Sequence, residues 1–118
     1  MTDYCSVAQV KVVLLIDSDD ETYDTEIENI ITAQQAIIDN KLTNYTTVPL
    51  TSVPQIVEDV CIELSRLKYR FPKAPDMDSL NVLRALRKEA LKDLQDYIDV
   101  TYLSEAGIIV ERDRTDYE

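Results

Sequence analysis

The stretch DTEIENIITAQQAIIDNKL, residues 24–42, decides the class of fold. Ile27, Ile30, Ile31, Ile38 and Leu42 fall on one stripe of a 3.6-residue repeat, which gathers side chains on one face of a helix and would scatter them over both faces of a strand. Asp24, Glu26 and Glu28 crowd its opening turns, where the positive end of the helix dipole favours acids. Gln34 interrupts the stripe. A buried amide without a partner costs about 1–3 kcal/mol, so Gln34 is expected either at the edge of the stripe or in a bond to another helix.

Toward the C-terminus, a Thr-, Ser- and Pro-rich segment from Thr43 to Pro54 separates this helix from a second amphipathic pattern. That pattern runs from Ser52, with Pro54 in its first turn, through Ile56, Val57, Val60, Cys61, Leu64 and Leu67 to Phe71, and Pro72 and Pro75 stop it. A third helix is expected to start near Asp78 or Ser79 and to carry Leu80, Leu83, Leu86, Ala90, Leu94, Tyr97 and Ile98 on its inner side. Its length of about 35 Å matches the full width of a domain this size, so one end or face is expected to project toward another body. Upstream, Val7 to Ile16 follows Ser6, a good N-cap, but its β-branched valines and the alternation of Gln9 and Lys11 with apolar neighbours put helix ahead of strand without deciding between them. Beyond Leu103 the pattern breaks at Ser104 and Gly107, and Ile108, Ile109 and Val110 form an extended-prone triplet with no local core to join. The chain thus reads as all-α: a bundle of about four helices over residues 1–103, followed by an extended partner-binding tail over 104–118.

The composition removes several classes of function. At 118 residues, 45% of them hydrophobic, the chain supports one domain with one modest core. No apolar run approaches the ~18 residues of a membrane span, and Met1 to Asp3 has no basic leader character, so a soluble intracellular product without membrane contact is expected. A net charge of -11 opposes tight binding to phosphate backbones or anionic lipid. The single glycine leaves no phosphate-cradling loop. The chain has no histidine, and no Ser or Cys stands in a recognisable nucleophile setting, so neither catalysis nor a cofactor is expected. Cys5 and Cys61 lack metal or redox spacing, and Cys61 lies on an apolar stripe as a small core residue. Asp17, Asp19, Glu21 and Glu28 match positions one, three, five and twelve of an EF-hand loop, but Thr22 stands where the sharp turn needs glycine, so the segment reads as a solvated acidic cap.

Charge is unevenly spread along the chain. Residues 1–40 hold one cation, Lys11, against nine acids, whereas residues 41–75 hold five cations against three acids. This pattern suits copies packed head to tail, with Asp24, Glu26 and Glu28 of one facing Arg66, Lys68, Arg70, Arg84 and Arg87 of the next.

The acidic loop and helix ending in Ile38-Asp39-Asn40-Lys41-Leu42, then Tyr45, Val48-Pro49-Leu50, Val53-Pro54 and the helix from Ile56 to Arg66, together resemble the head-tail connector, or head completion adaptor, proteins of tailed bacteriophages. The resemblance spans roughly residues 5 to 103. It implies a four-helix adaptor, with Val7 to Ile16 helical, that assembles as a ring of twelve copies beneath the portal. Such a ring extends the channel through which DNA passes without specific binding, and a tail or stopper protein docks on its far side. It implies a virion protein of the head-tail junction, present in the host cytoplasm during assembly. It also implies a portal-gripping role for the C-terminal segment, here Gly107, Ile108, Ile109, Val110 and Arg112. Two other readings fit the composition: an acidic DNA-mimic inhibitor, or a small helical regulatory module that binds a host protein.

Overall fold

The first helix settles the choice left open by its valines. In the computed structural model, which describes residues 3–103, the Ser6 hydroxyl accepts from the Gln9 N–H at 3.2 Å and Gln9 Oε1 accepts from the Ser6 N–H at 2.8 Å. This reciprocal cap starts α1, Val7–Leu14. The helix ends at Leu15, which takes the left-handed conformation at φ 62°, ψ 35°. Leu15 N–H bonds Val12 C=O and Ile16 N–H bonds Lys11 C=O, the two bonds of a Schellman motif with leucine where glycine is usual.

The second helix, α2, is Asp24–Leu42, as its stripe requires. Its buried residues are Ile27, Ile31, Gln34, Gln35, Ile38 and Leu42, so Gln34 continues the stripe as an amide within it. Gln35 makes the tie to another segment, its Oε1 accepting from the Tyr4 N–H at 2.9 Å.

The third helix, α3, is Gln55–Arg70 and starts later than Ser52. A residue before proline is held out of the helical region, so Val53 cannot be helical and Pro54 becomes the extended N-cap, its carbonyl taking the N–H groups of Val57 and Glu58. A 3-10 turn at Phe71–Lys73 leads to α4, Met77–Ile98, and a π-helical turn, Asp99–Leu103, continues it. The cap of α4 is Asp76, just upstream of the expected start. Its Oδ1 accepts from the Ser79 N–H at 2.8 Å, and that bond holds the carboxyl below its usual range.

No strand occurs among the described residues, and no helix among them is long and apolar enough to cross a membrane. Helix α3 lies in the middle and packs on α1, α2 and α4. The body is a slab of 48 × 36 × 18 Å, about two helix diameters thick. The loop over residues 43–54, with a cis Val48-Pro49 bond, packs on its own bundle: Leu50 is buried and Val48 and Val53 lie against the core.

Tyr4 bolts the lead-in of the chain to this loop. Its buried hydroxyl donates to the Asp39 carboxylate and accepts from the Leu50 N–H at 2.8 Å, joining three segments far apart in sequence. Burial first, then the bond to Asp39, pushes that hydroxyl up to about 12. An unfolded tyrosine ionises near 10, so the fold favours the neutral phenol; its contribution is complete below about pH 10 and disappears as pH climbs toward 12. Tyr4→Phe, which strands the Leu50 N–H and the Asp39 carboxylate, is expected to cost about 2 kcal/mol in urea melts and to remove this part of the alkaline loss of stability.

Candidate functional site

The first half of α4 buries nothing. Its fully buried residues are Ala90, Leu94 and Ile98, all in the second half, while Leu80, Leu83 and Leu86 are only half-covered. Met77 and Val82 are 63% and 58% exposed. Val82 and Leu83 join Leu14 of α1, Tyr69 of α3 and the Ala74-Pro75 turn in an open groove of about 440 Å³, rimmed by Arg70 and Lys73.

Next to Leu14 in the chain, Leu15 is 88% exposed, and Val12 on the same helix is 71% exposed. A leucine held left-handed costs about 1 kcal/mol against glycine, and leaving it in water returns none of that. These apolar side chains outside the core, one of them on left-handed backbone, make this surface the candidate site. The signal was present in the sequence: Val7, Val10, Val12, Val13, Leu14 and Leu15 make α1 apolar nearly all round, more than one core-facing stripe needs. Nothing in the sequence marks Leu15 itself as the end of the helix.

The charged candidates fall into three situations. Asp24 is engaged within its own chain: Lys11, buried at 4% exposure, directs Nζ to Asp24 Oδ1 at 2.9 Å and to the Ser18 carbonyl at 3.1 Å. The only cation of residues 1–40 therefore closes the acidic loop against α1. Arg66 is likewise held, forked onto Glu63 at 2.7 and 2.8 Å. Glu26 lies 3.9 Å from Lys73, whose ammonium also sits over the Tyr69 ring, because antiparallel packing sets the acidic start of α2 beside the basic end of α3. The segments of opposite sign thus adjoin along one edge of the bundle. Glu28, Lys68, Arg70 and Arg84 stand exposed with no ion pair among the described residues, and Arg84, Arg87 and Lys88 share one face of the uncovered half of α4.

The acidic loop uses its carboxylates locally. Asp17 Oδ1 accepts from the Asp19 N–H at 3.1 Å and Asp20 Oδ1 from the Thr22 N–H at 3.0 Å, while α2 begins at Asp24, well before Glu28. No group of three or more metal-ligating side chains is gathered among the described residues. At the far end of α4, Tyr45 of the 43–54 loop stacks on Tyr102 at 5.8 Å and Tyr97 meets Tyr102 edge-on at 6.2 Å. That corner is the last described point before the tail. Gly107, Ile108, Ile109, Val110 and Arg112 lie outside the described residues.

Two substitutions separate structure from contact here. Leu15→Gly is expected to raise the stability of the isolated chain by about 1 kcal/mol in urea melts, because it relieves the left-handed backbone. Asp24→Asn is expected to cost about 1–2 kcal/mol, more than the Lys11→Met/Asp24→Asn pair, which leaves no buried charge behind.

In comparison with known proteins, a family model described as Bacteriophage Mu, Gp36 matches residues 3–101. No curated protein and no solved structure matches the chain.

Proposed function

The chain belongs to the bacteriophage Mu Gp36 family, and from that membership we propose that it is a non-enzymatic head-tail connector, assembled as a ring under the portal vertex. It is a phage protein of the structural or assembly kind. The finer role rests on what the surface offers.

The observation that carries the reading is the apolar face left uncovered by α1 and the first half of α4, rimmed by cations. Leu15, Val12, Met77 and Val82 gain nothing in a lone chain and would be buried between neighbouring copies. Arg70 and Lys73 give the groove beside Val82 a positive rim, and Glu28 with the loop before α2 supplies an acidic partner on the next copy. In this reading the ring holds twelve copies, as the resemblance to head-tail connectors implies. DNA passes through its channel unbound, and a tail or stopper protein docks on the side away from the portal. The segment 104–118 attaches to the portal through Gly107, Ile108, Ile109, Val110 and Arg112, adding main-chain bonds and apolar anchors to a groove or sheet edge. The protein resides at the head-tail junction of the virion after assembly in the host cytoplasm. A DNA mimic would need an unbroken row of carboxylates, which Lys11 on Asp24 and Lys73 beside Glu26 interrupt.

The test is mass measurement and electron microscopy of the chain mixed with its portal protein. Rings seated on portals are expected. Val82→Asp should weaken ring formation at least about tenfold, the loss that burying one charge in a contact brings, without lowering the melting temperature. Removal of residues 104–118 should abolish portal attachment while sparing the helical signal. A chain that stays monomeric both alone and with portal overturns the proposal.

A further inference from the structure

Cys5 stands in the lead-in before α1 and Cys61 in the middle of α3, 56 residues apart in sequence, yet their sulfurs lie 3.1 Å apart in the core. We propose that this pair is an oxidation site, which a low-molecular-weight disulfide converts into an intramolecular Cys5–Cys61 bond that fastens α1 to α3.

Geometry carries the proposal. A disulfide needs a sulfur separation of about 2.05 Å, so closure asks for an approach of about 1 Å, within the movement available to a lead-in of a few residues. Packing alone does not call for facing thiols, since two small apolar side chains would fill the same space. No further metal-ligating side chain joins them to make a metal site among the described residues. The two thiols are also unequal. The bond from Cys61 draws the Cys5 thiol down, whereas that same bond and burial push Cys61 up, and the Ser65 side chain faces both.

The chemistry balances in two exchanges. The Cys5 thiolate attacks one sulfur of oxidised glutathione, forming a mixed disulfide and releasing one glutathione thiolate. Cys61, its proton passing to solvent base, attacks the Cys5 sulfur of that mixed disulfide and expels the second glutathione thiolate. Two protein thiols are oxidised, one glutathione disulfide is reduced to two thiols, and the protons end on them. Entry is through the lead-in: opening residues 3–6 frees Cys5 while the rest of α3 stays covered. The thiol form belongs to the reducing host cytosol and the disulfide to conditions outside it, a passage that a phage protein makes. The bond would secure an eight-residue helix too short to persist alone, the one that presents Val12 and Leu15. Only that last consequence rests on the connector reading.

The test uses the full chain alone, with no portal, so its failure is separate from that of the connector proposal. Reduced protein is equilibrated at pH 8 with mixtures of reduced and oxidised glutathione, quenched with acid and weighed intact. The expected product is about 2 Da lighter, as loss of two hydrogens requires, and carries no glutathione. Its equilibrium constant against glutathione should exceed that of the guanidinium-unfolded chain by about 30-fold or more, with a melting temperature raised by about 5 °C or more. Cys61→Ala should instead keep a glutathione adduct on Cys5. Unreacted thiols, persistent adducts on the wild-type chain, covalent dimers, or a constant equal to that of the unfolded chain would each overturn the proposal.

Discussion

Everything in this molecule is arranged by the need to cover α3. Val57, Val60, Cys61, Leu64, Ser65 and Leu67 spread its buried surface over more than one stripe, so a single neighbour cannot keep water from it. Three helices are therefore drawn around it, and the short α1 is seated against both α3 and α2. Once those seats are taken, α4 is fully buried only at Ala90, Leu94 and Ile98 in its second half, and its earlier turns are at most half-covered. The part of the molecule that looks outward is a geometric remainder of the part that closes inward.

Much of this was legible in the chain. The period of residues 24–42 gives α2 directly, and its continuation through Gln34 and Gln35 follows the same period, although which amide would find a backbone donor depended on where Tyr4 came to rest. The helix starts at Pro54 and Asp76 are local chemistry, and they differ from the sequence expectation by a few residues because a proline restricts its predecessor and a cap acts from outside the helix. The fate of Lys11 was not legible. A lone lysine among acids reads as solvated until a tertiary contact encloses it, and only the fold sets Asp24 and the Ser18 carbonyl around its ammonium. The charge runs suffered the same limitation: their separation along the chain is a separation in one dimension, and antiparallel α2 and α3 bring Glu26 and Lys73 back together.

For a phage structural or assembly protein this division of labour is economical. Local caps and the buried faces around α3 define the helical body. The features without a local rationale are a leucine in a glycine position and a half-uncovered helix. Residues that break local rules without local compensation are where an account of partners has to begin.

The tyrosine corner beside the tail has a practical consequence. The chain has seven tyrosines and no tryptophan, so its intrinsic emission under ultraviolet excitation is tyrosine fluorescence alone. Tyr45, Tyr97 and Tyr102 are close enough to exchange excitation among themselves, and their stacked and edge-on rings lie in an asymmetric setting that gives near-ultraviolet circular dichroism. A change in this corner, such as contact at the end of α4, would therefore alter the near-ultraviolet signals to which it contributes beside the other tyrosines, without an added label.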